Sequence, residues 1–98
     1  MNPAALVLQL CRAMASVPDR VRVFTAHGRE ATLLEVLCAP EDIGALIGYG
    51  GEVLDALRWM VHLVGLRDQG RLVYVNILGA KGSRVRNVMK MEQIVAIL

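Results

Sequence analysis

Ninety-eight residues, 55% of them hydrophobic and with a formal charge of +2, are enough for one domain with a packed core. The uncharged runs are short or broken by Pro and Gly, which excludes a membrane-spanning helix; the apolar start MNPAALVLQLCRAM has no basic residues ahead of it, as a secretory signal requires, so a cytoplasmic location is expected. Cys11 and Cys38 lie far apart without a CxxC, and only His27 and His62 are available as imidazole ligands, so neither a metal nor a cofactor is expected and the thiols read as buried, with one disulfide left open.

The first periodic segment places Ala4, Leu6, Val7, Leu10, Cys11 and Met14 at helical spacing over residues 4–16, stopping before Pro18. Val21 and Val23 then alternate with Arg20 and Arg22, and HGRE turns the chain into ATLLEVLCA, which predicts two strands joined by a hairpin. Pro40, Glu41 and Asp42 open a short helix over about 41–47, since proline suits a first helical position and acids suit the positive end of the helix dipole. A longer helix follows over about 51–66, with Val53, Leu54, Leu57, Met60, Val61 and Val64 on its core face and Trp59, Leu63 and Leu66 on the opposite side. A third strand, RLVYVNIL, comes after the turn RDQG, and a last helix is expected over about 84–97.

The order is thus α-β-β-α-α-β with a C-terminal extension, a domain over 1–78 and an extension over 79–98. The extension holds the positive charge: Lys81, Arg84, Arg86 and Lys90 against Glu92 make it +3 and leave residues 1–80 at −1. Two apolar surfaces remain without a cover, the Trp59 side of the long helix and an open sheet face with Leu72 and Tyr74. Val88, Met91, Ile94, Val95 and Leu98 of the extension are candidates to cover them, and a second copy of the chain is the other.

Between the short and long helices stands IGYGGE. Glycine inside a helix costs roughly 1 kcal/mol against alanine, so three of them in four positions need a reason. One is local: Gly48 as a left-handed helix cap, with Gly50 and Gly51 making a tight turn. The other is that a helix N-terminus beside a loop almost without side chains lets a phosphate come close to bare backbone.

IGYGG between two helices, after two strands and before a third, resembles the GxxG loop of a type II KH domain, and the resemblance spans about residues 4–78. The nearest pattern is that of the small bacterial KhpA-like RNA-binding proteins, and GGEVLDALRWMVHLV is also similar to the KH domain of Jag/KhpB proteins. The resemblance implies an α+β fold with a three-stranded sheet covered on one face, and non-catalytic binding of single-stranded RNA, in the manner of an RNA chaperone. Gly48, Tyr49, Gly50 and Gly51 would hold about four nucleotides of backbone, beside a groove lined by Ile43, Ile47 and Leu54.

One departure stands out: the variable pair, Tyr49 and Gly50, carries no cation, and acidic Glu52 follows. Phosphate neutralisation supplies most sequence-independent affinity, so the loop alone should bind weakly, with Tyr49 stacking on a base and Arg84 and Arg86 supplying the missing contacts. The alternative is a KH-like interaction module with little RNA affinity, which holds a second copy or another KH protein and in which Tyr49 is a hydrophobic contact of the protein interface. Glu52, Asp55 and His62 fall on the polar side of the long helix, Asp55 with Arg58 as a weak surface pair, and no cation neighbours either cysteine, so no catalytic site is expected.

Overall fold

The computed structural model describes residues 2–79. Helix α1 spans Pro3–Met14, strands β1 and β2 span Arg22–His27 and Ala31–Leu37, helices α2 and α3 span Ile43–Ile47 and Glu52–Gln69, and strand β3 spans Leu72–Ile77. Short 3-10 turns at Pro18–Arg20, Pro40–Asp42 and Tyr49–Gly51 link them. This is the expected α-β-β-α-α-β order; the last predicted helix lies outside the described residues.

Local chemistry sets the ends of the helices. The Asn2 side chain accepts the Ala4 N–H at 2.8 Å and Pro3 occupies the first helical position, so α1 starts with a capped end. At the C-terminus of α3, Gly70 adopts the left-handed conformation, and the N–H groups of Gly70 and Arg71 turn back to the carbonyls of Leu66 and Gly65.

The sheet has the order β1-β2-β3, with β1 antiparallel and β3 parallel to β2. Alternation sends Leu34 and Val36 of β2 and Val73, Val75 and Ile77 of β3 to one face, where they meet Val7 and Cys11 of α1, Leu46 of α2 and Leu54, Leu57 and Val61 of α3. Each such fully buried aliphatic side chain contributes roughly 1.5–3 kcal/mol of transfer free energy. The other face carries no helix among the described residues. There Leu72 and Tyr74 are half-buried, in keeping with the alternation, and Phe24 and Leu37, which it does not single out, are exposed.

Two expectations about α3 need correction. Helical spacing places Met60 in the core, yet it is 40% exposed. The buried stripe is centred instead on Leu54, Leu57, Val61 and Gly65, because at Gly65 the helix backbone lies against β3: a Cβ there would stand 2.5 Å from Val73 Cγ2 and 2.8 Å from the Arg71 carbonyl oxygen. That approach rolls Met60 outward, towards α1. The second correction is Arg58. Its side chain is only 12% exposed, and although Nη1 lies 3.6 Å from Asp55, Nε donates to the Val75 carbonyl at 3.1 Å, fastening α3 to β3.

Polar anchors hold the turns. Sequence position suits Asp42 to the dipole of the following helix, yet its carboxylate reaches back 26 residues: Oδ1 accepts from the Ser16 amide and hydroxyl at 2.8 and 2.7 Å, and Oδ2 from the Val17 amide at 3.0 Å. Arg71 closes the hairpin, donating to Thr32 Oγ1 and to the carbonyls of Gly28, Arg29 and Ala31.

Gly65→Ala should destabilise the fold by about 1–3 kcal/mol through overpacking against Val73, read as a lower denaturant midpoint at unchanged m-value. The Ser16 hydroxyl, followed by the Ser16 amide, lowers the Asp42 pKa below the ordinary value of 3.8. A lowered folded-state pKa means that the contribution is present above the unfolded value and lost as pH falls through the folded one. Asp42→Asn should therefore lower Tm at neutral pH, and the gap to the parent should close as pH drops below about 3.8 in a series of melts followed by circular dichroism.

Candidate nucleic-acid interface

The glycine loop joins α2 to α3 with three consecutive demands on the backbone. Gly48 has φ 77° and ψ 173°, a region open to glycine alone; Gly50 (60°, 13°) and Gly51 (86°, 12°) are left-handed. The left-handed positions are therefore Gly50 and Gly51, and not Gly48, to which the helix-cap reading assigns that role. Gly48 is constrained a second time by space, since a Cβ would come within 2.5 Å of Val53 Cγ2 and 2.9 Å of the Val53 nitrogen. The loop backbone thus lies directly against the first turn of α3.

Three hydrogen bonds fix this conformation: the Gly48 N–H donates to the Gly44 carbonyl at 2.8 Å, the Gly51 N–H to the Gly48 carbonyl at 3.1 Å, and the Glu52 N–H to the Tyr49 carbonyl. No side chain caps the N-terminus of α3. Tyr49 projects from the loop at 92% exposure, and nothing lies within 4 Å of the place a Gly50 Cβ would occupy. The result is a tip of exposed chain at Tyr49 and Gly50, with Gly51 buried beneath it, at the positive end of an 18-residue helix.

The other predicted site residues divide by depth. Ile43 and Ile47 of α2 are half-buried against the core and keep accessible surface beside the loop. Leu54, expected to line the groove with them, is 1% exposed and supports the site from beneath. The reason is the turn of α3: one residue after Val53, the helix has already rotated that side chain into the core. Arg84 and Arg86 lie outside the described residues.

Sequence reasoning missed a groove of about 320 Å³ where α3 passes the free edge of β3, lined by Asp55, Arg58, Trp59, His62 and Tyr74. The Trp59 and His62 rings stack with centroids 5.9 Å apart and planes 21° from parallel. The helical spacing of 55, 58, 59 and 62 is visible as a stripe; its meeting with Tyr74 depends on which strand lies at the sheet edge, which the strand pattern does not encode.

Other chemistry finds little to work with. Burial, and then neighbouring Cys38, pushes the Cys11 thiol up to about 11; burial, and then Asp42, pushes Cys38 up, so both cysteines, free and buried, are thiols rather than thiolates at neutral pH. Among the described residues no group of three or more His, Cys, Asp or Glu is placed to hold a metal ion, and no helix is long and apolar enough to cross a membrane. A polar cavity at the opposite end of the sheet contains Thr32, but its hydroxyl already meets His27 Nδ1 at 3.2 Å and Arg71 Nε at 3.2 Å.

Comparison with known proteins agrees with this geometry. The profile of the KH domain of KhpA/KhpB matches residues 4–77. The RNA-binding protein KhpA of Caldanaerobacter subterraneus subsp. tengcongensis is 34% identical over 68 residues, covering 69% of this chain and 91% of that protein. RNA-binding protein KhpA of Mycobacterium tuberculosis is 36% identical over 72 residues, 74% of this chain and 85% of that one, and the Clostridium acetobutylicum protein of the same name is 29% identical over 68 residues, with 69% and 91% covered. By its element order, its glycine loop and these matches, the chain belongs to the KhpA/KhpB family of KH domains.

Proposed function

We propose that this protein binds single-stranded RNA without catalysing any reaction, holding the sugar-phosphate backbone on the loop Gly48–Gly51. The observation that carries the reading is the loop itself: three positive-φ glycines, packed so closely on Val53 that no side chain fits at residue 48, place a loop with only one side chain, the exposed Tyr49, at a helix N-terminus that no side chain caps. Relatives that match over the same element order are named RNA-binding proteins.

In this reading Gly48, Gly50 and Gly51 let the strand approach, Ile43 and Ile47 form the apolar wall against which bases rest, and exposed Tyr49 stacks on a base or sugar. Leu54 holds the wall in place from the core. With no Lys or Arg in the loop, the phosphate charge is met by Arg84 and Arg86 from the extension. The cytoplasm is the compartment in which such a protein meets its RNA.

A second reading, a KH-like module that holds another copy or another KH protein, is favoured by one observation: Trp59, Leu63 and Leu66 of α3 are all exposed. The loop separates the two readings.

Tyr49→Asp with Gly50→Asp places two carboxylates where a phosphate would sit. Gly50 has open space around it and a left-handed backbone, in which aspartate is among the better tolerated residues at a cost of roughly 1 kcal/mol, so the fold should survive with a slightly lower Tm. Anisotropy titration of a labelled single-stranded RNA should show binding abolished. Undiminished binding would remove the site from the loop, and loss of self-association in a parent that does not bind RNA would establish the interaction module.

Arg84→Ala with Arg86→Ala should weaken RNA binding and flatten the plot of log K against log salt by about 0.7 for each phosphate that is no longer neutralised. An unchanged slope would show that these two arginines touch no phosphate.

A further inference from the structure

The groove between α3 and the free edge of β3 contains none of the residues of the loop or of its apolar wall. Its volume of about 320 Å³ stands at the small end of ligand sites, which run from roughly 300 to 1,000 Å³, a size that suits one flat ring system.

Each part of the groove is held in place. His62 stacks on the Trp59 indole with centroids 5.9 Å apart and planes 21° from parallel, which backs one face of the ring while 64% of Trp59 stays exposed. Tyr74 stands on the β3 side, half-buried. Asp55 precedes Trp59 by four residues and so shares its side of the helix. Its Oδ1 lies 3.6 Å from Arg58 Nη1, and Arg58 is itself fixed by the bond from Nε to the Val75 carbonyl at 3.1 Å. The Asp55 side chain is 59% exposed, so the carboxylate is both held and reachable.

We propose that this groove is a guanine-binding site, in which the base stacks on Trp59 and its Watson–Crick edge pairs with the Asp55 carboxylate. The proposal rests on the reading of the chain as an RNA-binding protein for the source of the base, and goes beyond it in naming which base. A carboxylate only accepts hydrogen bonds. Guanine alone among the four RNA bases offers two adjacent donors on that edge, the ring N1–H and the N2 amino group, and so engages both carboxylate oxygens at once. Adenine, cytosine and uracil each set an acceptor beside the donor, and that acceptor meets the carboxylate with like sign.

Charge also fixes the orientation. Asp55, with Glu52 one turn before it, repels phosphate, so a strand enters the groove by a base edge and keeps its backbone outside. Asp55 and Trp59 follow Gly51 by four and eight residues, about 6 and 12 Å along the helix axis, within reach of the roughly four nucleotides that such a loop holds.

Trp59 is the single tryptophan of the chain, so its emission reports on the groove directly. The full chain is titrated by anisotropy with labelled uridine octamers that carry one central guanosine, adenosine or inosine, the last lacking the N2 amino group. The guanosine octamer should bind about tenfold more tightly than the adenosine one, with inosine between them, and should quench Trp59. Asp55→Asn should bring the guanosine-to-adenosine ratio close to one while its melt stays cooperative. Equal affinity for the guanosine and adenosine octamers, or a preference that survives Asp55→Asn, overturns the proposal. Free guanosine monophosphate, with adenosine monophosphate as control, separates the sources of the base: quenching as strong as by the octamer assigns the groove to a free nucleotide, and much weaker quenching assigns it to a base within a strand. If no octamer binds, the loop reading has failed and the mononucleotides decide alone, selective quenching by the guanosine form upholding the groove and its absence overturning it. A Trp59 shielded by self-association that responds to neither ligand assigns the groove to a second copy and overturns it as well.

Discussion

With no side chain at residue 48, the loop backbone lies against Val53, and the arrangement of the whole α2–α3 end follows from that contact. The approach leaves only four residues between the end of α2 and the start of α3, so the two helices share one corner. It also fixes the phase of α3. Once Val53 faces the loop, Leu54, Leu57 and Val61 must face the sheet, and Trp59 and Leu63 must face away. A conformational constraint on one glycine thus determines which residues of an 18-residue helix are core and which are surface.

The far end of α3 repeats the device. Gly65 lets the helix backbone close on β3 as Gly48 lets the loop close on the helix, and Arg58 spans the interval with a hydrogen bond to the Val75 carbonyl. The polar anchors at Asp42 and Arg71 serve a different purpose. Each gathers backbone groups from the turns, the amides of Ser16 and Val17 in one case and the carbonyls of Gly28, Arg29 and Ala31 in the other. They hold the connections so that the apolar core need only hold the elements.

Much of this is legible from period alone. The alternation of Val73, Val75 and Ile77 and the helical repeat through Leu54, Leu57 and Val61 lead to the right faces because burial is cumulative, and a whole element turns as one. The exceptions are residues whose position depends on a neighbour distant in sequence. Met60 is displaced by the contact of Gly65 with Val73, Arg58 is drawn inward by a carbonyl on β3, and Asp42 is turned away from its own helix by Ser16. At the loop, the need for glycine is readable, but which glycine is left-handed is not, because a Ramachandran region depends on packing against Val53 that no spacing records.

The division of charge bears on how such a site can work. A bare backbone at a helix N-terminus offers partial charges of roughly half a unit that fade within the first turn, whereas each phosphate neutralised by a side chain releases a counterion. The former gives position and the latter gives affinity. In this chain the two are separated in sequence: the described domain has the shaped loop and a slight negative balance, and the +3 lies entirely in residues 81–98. Under the proposed function, shape and charge for a polyanion thus come from different parts of the sequence. Since a Cβ on Gly79 would stand 3.4 Å from Ile43 Cδ1 at the start of α2, the described residues end at the same corner of the fold as the glycine loop.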